Sequence, residues 1–323
     1  MKTEIIDKLL KSEEPSVRYK TLVNVLGESP QSPKIKKLQA EINKSSRVQT
    51  LLSMKDNSGT MPFHPYTKWI GAHWVLAILS DLGYPTGDKS LIPLKEQVYD
   101  WLLGPRHQKN IRLINGLTRR CVSQEGYAVY YSLKLGLADE RTEELVTRIT
   151  SWQWPDGGWN CDKNPEAKHS SFMESIVPMR ALTFHAKETN SRKSKEAVKK
   201  ASDIFLKRNL FKGQRSGKII REKFIKLRYP TYFDYDILVG LKVMAEAGFI
   251  KDPRCREALD LLQSKTLPDG GFPSEAKLYQ PFKALNISRG SLVDWGGVSI
   301  RRYNEWVTVD ALYVLKEAGR LKV

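Results

Sequence analysis

The chain has 323 residues, 41% of them hydrophobic, which is enough to bury a large core and excludes a disordered tail or a minimal peptide scaffold. Its three cysteines, Cys121, Cys161 and Cys255, are widely spaced with no C-x-x-C pair, which argues against a disulfide framework or a closed structural zinc site and for a reducing compartment. The formal net charge is +17, no signal-peptide core opens the sequence and no run of about 18 apolar residues occurs, so a cytoplasmic protein without a transmembrane segment is expected.

In chain order, helical patterns close on an apolar residue followed by Gly at Gly27, Gly83, Gly136, Gly248 and Gly319, with Asn190 near the midpoint of the one long gap. Gly and Asn are what a left-handed helix stop requires. The intervals of 56, 53, 54, 58 and 71 residues define six units of one design. Two kinds of helix alternate within them. Thr67 to Leu82 and Tyr235 to Ala247 are apolar around nearly their whole circumference and predict helices surrounded by protein. Leu94, Val98, Trp101 and Leu102, and later Cys255, Leu259 and Leu262, form single stripes with charges opposite, which predicts helices wetted on one side.

No stretch combines strand alternation with hairpin turns convincingly, so the chain reads as all-α. The expected architecture is one domain over 1–323, an α6/α6 toroid with six inner and six outer helices; an open solenoid would leave its inner helices wet. Residues 276 to 305, with Gly290, Gly296 and Gly297, lengthen the last unit and predict an inserted loop over one mouth. Between Arg192 and Arg228 fourteen basic residues stand against three acidic ones. That run reads either as a solvated surface or as a face for an anionic partner such as nucleic acid or phospholipid.

Two turns share a pattern: Trp152-Gln153-Trp154-Pro155-Asp156-Gly157-Gly158-Trp159 and Leu267-Pro268-Asp269-Gly270-Gly271-Phe272. An Asp-Gly-Gly-aromatic turn after an amphipathic helix resembles the QW-type repeats of squalene and oxidosqualene cyclases and the matching turns of protein prenyltransferase β subunits. WNCDKNPEAKHSSFMESIVPMRAL and LRYPTYFDYDILVGL look closer still to bacterial prenyltransferase-like and squalene-cyclase-like proteins. The resemblance implies the α6/α6 toroid and a central cavity. This sequence departs from the characterised enzymes where their chemistry resides. Triterpene cyclases use a D-x-D-D acid, and here Asp234-Tyr235-Asp236 is followed by Ile237. Prenyltransferases hold zinc through Asp, Cys and His, and Glu174 falls where the His would lie. A D-D-x-x-D magnesium cluster is absent from the sequence. No metal and no cofactor are expected.

Polar residues in the first turns of the buried helices are expected to converge on one mouth of the ring: Arg18 and Tyr19; Lys68 and His73; Arg119, Arg120, Gln124 and Glu125; Ser170, Ser171 and Glu174; Asp234 and Asp236; Thr308 and Asp310. Helix N-termini there favour a phosphate or carboxylate. Asp236, Glu125 and Glu174 are the candidate general acids or bases. Lys68, Trp69, His73, Arg119, Arg120, Asp234, Tyr235 and Trp306 are the candidate ligand-binding residues. Structural alternatives stand beside these: Ser171-x-x-Glu174 as a capping box, Asp234 as an N-cap, Asp236 and Glu125 as halves of buried ion pairs, His73 as a satisfied core histidine. Cys161, Asp162 and His169 could join Cys121 or Glu174 around zinc, though their spacing is not a recognised ligand pattern. The expected function is handling of an isoprenoid with an anionic head in an apolar lumen, as binder or enzyme. The alternatives are an α6/α6 carbohydrate-active enzyme, with Glu125 and Asp236 at glycosidase separation, and a noncatalytic scaffold binding nucleic acid or protein.

Overall fold

The computed structural model describes residues 2–281 and 289–322; part of the predicted 276–305 loop, residues 282–288, lies outside them. The chain is 52% helix, with fourteen α-helices among the described residues. They are α1 (Lys2–Leu10), α2 (Pro15–Lys20), α3 (Pro33–Lys44), α4 (Ser46–Leu52), α5 (Ala72–Leu82), α6 (Ile92–Leu103) and α7 (Pro105–Gln108). The second half holds α8 (Ser123–Lys134), α9 (Glu140–Ser151), α10 (Phe172–Thr189), α11 (Arg192–Leu206), α12 (Ile237–Glu246), α13 (Arg256–Ser264) and α14 (Glu305–Glu317).

The six stops read from the sequence are all left-handed: Gly27, Gly83, Gly136, Asn190, Gly248 and Gly319 have φ between 58° and 83°. The helices they close are the buried ones. In α5 every residue but Asp81 is buried, whereas α13 buries only Ala258, Leu259 and Leu262. The buried helices touch in succession: α2 meets α5, α5 meets α8, α8 meets α10, α10 meets α12, α12 meets α14, and α14 meets α2 again. Each of α2, α5, α8, α10 and α12 also packs on the amphipathic helix that follows it, which are α3, α6, α9, α11 and α13. The closest approach is between α8 and α10, because a Cβ on Gly126 would fall 2.9 Å from the Pro178 backbone nitrogen.

The two Asp-Gly-Gly turns are built identically. Trp154 N–H donates to Gly158 and Gly157 N–H to Trp154, while Leu267 N–H donates to Gly271 and Gly270 N–H to Leu267. The aromatic that follows is tied to the next buried helix by a hydroxyl: Trp159 N–H donates to Ser175 Oγ (3.1 Å) and Phe272 N–H to Thr308 Oγ1 (2.9 Å). The first glycine is left-handed (φ 106° and 85°), and a side chain on the second would collide with the facing unit. A third turn with the same hydrogen bonds occurs at Asp56–Thr60, where Asp56 N–H donates to Thr60 and Gly59 N–H to Asp56.

Three features differ from expectation. The helix predicted from Thr67 starts at Ala72, and the one predicted from Tyr235 starts at Ile237. A hairpin joins strands β1 (Arg112–Ile114) and β2 (Leu117–Arg119) through Asn115 and Gly116, both at positive φ, the residue pair that favours a tight hairpin turn. Asn-Gly is a hairpin signal, but the flanking strands of three residues are too short to show alternation. A short parallel pair, β3 (Gln280–Pro281) with β4 (Gly290–Ser291), sits in the predicted loop, which lies against Trp69: Trp69 Nε1 donates to Leu278 O and Trp69 N–H to Gly290 O.

Candidate functional site

Two interior polar clusters stand out. The first gathers at the N-terminal ends of α8 and α10. Strand β2 runs directly into Arg120 and Cys121, and Arg119 and Asn160 pair as a parallel bridge, so the segment carrying Cys161 lies beside the one carrying Cys121. Glu174, in the first turn of α10, accepts from Ser123 N–H of α8 (3.1 Å), and its other oxygen lies 3.7 Å from Cys161 Sγ. The Cys121 thiol donates to Cys161 sulfur, which pushes Cys121 up and Cys161 down. Burial pushes the Glu174 carboxyl above its usual range.

In the same first turn of α8, Glu125 is completely buried. It pairs with His107 Nε2 (3.1 Å) and Arg120 Nε (3.2 Å), and Arg120 also reaches Gln124. Burial alone would raise the Glu125 carboxyl, but the His107 hydrogen bond and the Arg120 charge outweigh it and leave it below the usual range. Glu125 is therefore held ionised in an ion pair, as one of its alternatives anticipated.

His73 is fully buried among Tyr66, Trp74, Trp101, Tyr127 and Tyr131, and neither ring nitrogen has a hydrogen-bond partner among the described residues. It is a core histidine but not a satisfied one. Burial depresses its pKa to about 3. Because that folded value is below the unfolded one, the stability it contributes is present above about pH 6.5 and is lost as pH falls through about 3. Replacing a buried polar group that makes no hydrogen bond by an apolar one of similar bulk removes a desolvation cost of about 1 to 3 kcal/mol. His73→Leu is expected to keep or raise the melting temperature and to flatten the acid limb of stability. A fall in melting temperature at pH 7 would show that the imidazole has a polar role.

The second cluster, not anticipated from the sequence, brings together Lys20 of α2, Asp81 of α5, Arg180 of α10, Lys242 of α12 and Asp310 of α14. A cavity of about 380 Å³ is lined there by six cations, Lys20, Lys36, Lys134, Arg180, Lys187 and Lys242, against two carboxylates, Asp81 and Glu246. Asp81 pairs with Lys20 and Lys242 (3.0 Å each), Asp310 with Lys20 (2.9 Å) and Lys242 (2.8 Å), and Glu246 takes both Arg180 nitrogens, at 2.6 and 2.7 Å. Among the described residues Lys36, Lys134 and Lys187 make no ion pair; Lys134 is half-buried, while Lys36 and Lys187 are exposed at the cavity's edge. Helix C-termini are negative poles, which these cations complement. A smaller inner cavity of about 50 Å³ shares Asp81, Tyr130, Arg180 and Lys242 with the first and extends to Tyr229, Tyr232 and Asp236. The larger cavity is strongly charged.

The remaining predicted residues scatter. Asp236 lines the inner cavity, but it is the N-cap of α12, accepting from Val239 N–H (2.9 Å). Asp234, expected as that cap, instead pairs with Arg228 (2.8 Å) and Lys223 (2.6 Å). Ser171 precedes α10 without a side-chain cap bond, so the predicted capping box does not form. Arg119, expected at the ligand site, is instead buried against the Trp154 ring (4.4 Å). Lys68 lies over Phe233 (4.4 Å), and Trp69 stacks on Tyr232 (3.8 Å). Tyr235, expected at the ligand site, packs on Phe172, Phe205 and Phe224 and donates to Leu210 O. Trp306, expected in the lumen, stacks behind Tyr229 (5.0 Å) and faces a separate surface groove. Glu125 is not among the residues lining the inner cavity that Asp236 lines. Along Arg192–Arg228, Arg228, Lys223, Lys212, Lys207 and Arg192 are engaged in ion pairs, while Lys193, Lys199, Lys200, Arg215, Lys218 and Arg221 are exposed.

Asp81, Arg180 and Lys242 had a signal in the sequence. Arg180 stands between Met179 and Ala181, Lys242 between Leu241 and Val243, and Asp81 beside Leu82, and a charge buried among apolar helix residues persists only if paired. Comparison of the sequence with family models and with curated proteins finds no match in either. No helix among the described residues is long and apolar enough to cross a membrane.

Proposed function

We propose that the helices form an α6/α6 toroid of the prenyltransferase-like and squalene-cyclase-like kind, and that its central cavity takes up a small organic anion, an isoprenoid diphosphate being the member of that class the resemblance favours. The cyclic succession of helix contacts, the six left-handed stops and the repeated turns support the architecture. The binding reading is carried by one observation: three lysines, Lys36, Lys134 and Lys187, border a 380 Å³ cavity without a carboxylate partner among the described residues. Burial lowers the Lys134 pKa, and an anionic ligand would relieve that cost. The volume is within the range of small-molecule sites. Ala77, Ile78, Leu238 and Val239 line the inner cavity and would meet the first carbons of an apolar tail.

Calorimetric titration with pyrophosphate, geranyl diphosphate and geraniol tests this reading. Both anions are expected to bind saturably, geranyl diphosphate more tightly, and geraniol weakly. Lys134→Gln and Lys187→Gln should each weaken binding by about tenfold, the loss of one charge-assisted contact of roughly 1.5 kcal/mol. Equal affinity for the two anions would remove the isoprenoid assignment, and absence of anion binding would remove the site.

A further inference from the structure

We infer that Cys121, Cys161 and Glu174 form a binding site for a zinc-class divalent cation. Their Sγ, Sγ and carboxylate oxygen atoms all lie within 4.8 Å of one another, and the Cys161–Glu174 separation is 3.7 Å. Two ligands on a tetrahedral zinc at about 2.3 Å lie about 3.8 Å apart, so the three donors need only small side-chain adjustments to close on one ion. Two thiolates select a soft or borderline metal over magnesium or calcium, and the carboxylate completes a set that zinc accepts.

The donors are placed by backbone that is fixed independently of any metal. Arg120 N–H donates to Asn160 O (3.3 Å), which keeps the segment leading to Cys121 alongside the one leading to Cys161. Asn160 Nδ2 donates to His169 O (2.8 Å), and Ser171 N–H donates to Trp159 O (2.9 Å), tying that second segment to the start of α10, where Glu174 sits. Ser123 N–H holds one Glu174 oxygen, which leaves the oxygen nearer Cys161 free to ligate, the kind of supporting contact that orients metal ligands. All three residues are half-buried, so an ion bound by them keeps a position open to solvent or a small molecule, as in zinc sites with three protein ligands. Asp162 and His169, considered with these cysteines from sequence, are exposed and stay outside the cluster.

The site is independent of the lysine-lined cavity, and its test does not depend on any activity. Reduced, chelator-treated protein, shown to have all three thiols free by thiol titration, would be titrated with Co²⁺ and then Zn²⁺. The expected result is one Co²⁺ per chain, with visible bands of a tetrahedral ion and near-ultraviolet thiolate-to-cobalt charge transfer, both abolished by stoichiometric Zn²⁺. In the unmodified protein Zn²⁺ should also protect two of the three cysteines from alkylation. Cys161→Ser should halve the charge-transfer intensity. Glu174→Gln should retain that band but weaken affinity by at least about 10- to 100-fold, the range for loss of a supporting partner. Absence of thiolate-to-cobalt bands, or bands that persist in Cys121→Ser/Cys161→Ser, would overturn the assignment. If the double variant does not fold, failure of Zn²⁺ to protect two thiols in the unmodified protein overturns it equally.

Discussion

Asp81→Asn is expected to lower the melting temperature by roughly 4 to 5 °C, a cost of about 3 kcal/mol spread over the unfolding entropy of a chain this long. Asp81 stands between two lysines that are themselves nearly inaccessible, with side-chain exposures of 2% for Lys20 and 8% for Lys242. It also accepts from Tyr229 Oη (3.0 Å). Removing one partner from a buried pair leaves an uncompensated cation and costs about 3 to 5 kcal/mol. Asp81 retains 16% exposure at the cavity mouth, which places the expected cost near the lower end of that range. Asp310 remains to both lysines, so the loss is partial and the fold persists.

The same network fixes the direction of its pH dependence. Burial opposes ionisation of Asp81, but Lys20, Lys242 and Arg180 outweigh it and hold the carboxyl well below its usual range. Its folded pKa is thus below the unfolded value of 3.8, so its stabilisation is present above that value and is lost as pH falls through the folded pKa. Lys242 is the mirror case. Burial opposes its charge, Asp310 and Asp81 outweigh burial, and its pKa is raised above 10.5. Its stabilisation is present below that unfolded value and fades as pH rises through the folded one. Melts across the pH range should show a plateau flanked by two falling limbs, and Asp81→Asn should flatten the acid limb. A melting temperature unchanged by Asp81→Asn would mean that the lysines are solvated and the pairs add nothing. The double variant Asp81→Asn/Lys242→Met should recover part of the loss, because the stranded cation is then gone.

Local grammar in this sequence was legible and long-range pairing was not. Gly27, Gly83, Gly136, Asn190, Gly248 and Gly319 announced left-handed stops because a residue at positive φ constrains side-chain type on the spot. Pro-Asp-Gly-Gly at Gly157 and Gly270 announced its turn for the same reason. The third turn, at Asp56–Thr60, was not legible as a repeat because its sequence shares only one glycine with the others, and its aspartate stands at the first position, where the carboxylate accepts from Ser58 and Thr60 N–H. Asn115-Gly116 is a hairpin signal, but the three-residue strands it joins are too short to show alternation. The candidate sites divide in the same way. Cys121, Cys161 and Glu174 are spread over 53 residues of sequence and meet only because the β2 segment, the Asn160 segment and the α10 N-terminus are stitched together by backbone. Lys242 pairs with Asp81 across 161 residues and with Asp310 across 68. Each was visible as a charge among apolar helix residues, but its partner was not, since helical periodicity says which face is buried and nothing about what the face meets.

Asp236→Asn should leave the protein as stable as it is at pH 4 and make it more stable at pH 7. Asp236 is completely buried, and burial raises its carboxyl to about 6, an increase that Arg228 only partly offsets. The guanidinium is committed to Asp234 at 2.8 Å and stands 3.7 Å from Asp236, so removing the Asp236 charge does not strand it. The carboxylate's oxygens are held by Val239 N–H (2.9 Å) and Arg228 N–H (3.2 Å). Asparagine retains one oxygen for the N-cap and is among the best capping residues. With a folded pKa above the unfolded value of 3.8, the group's contribution is complete below that pH and is lost as pH rises through about 6. At 1.36 kcal/mol per unit, roughly two units put on the order of 2 to 3 kcal/mol between wild type and variant at pH 7, and almost nothing at pH 4. Asp236→Ala separates the cap from the charge, because it loses both and should forfeit about 1 kcal/mol relative to Asp236→Asn at every pH. A variant that melts below wild type at pH 7 would show that Arg228 depends on the Asp236 charge. The opposite outcome would mark Asp236 as a carboxyl kept in the wall of the inner cavity at a cost to folding, poised to exchange a proton near neutral pH beside the proposed anion.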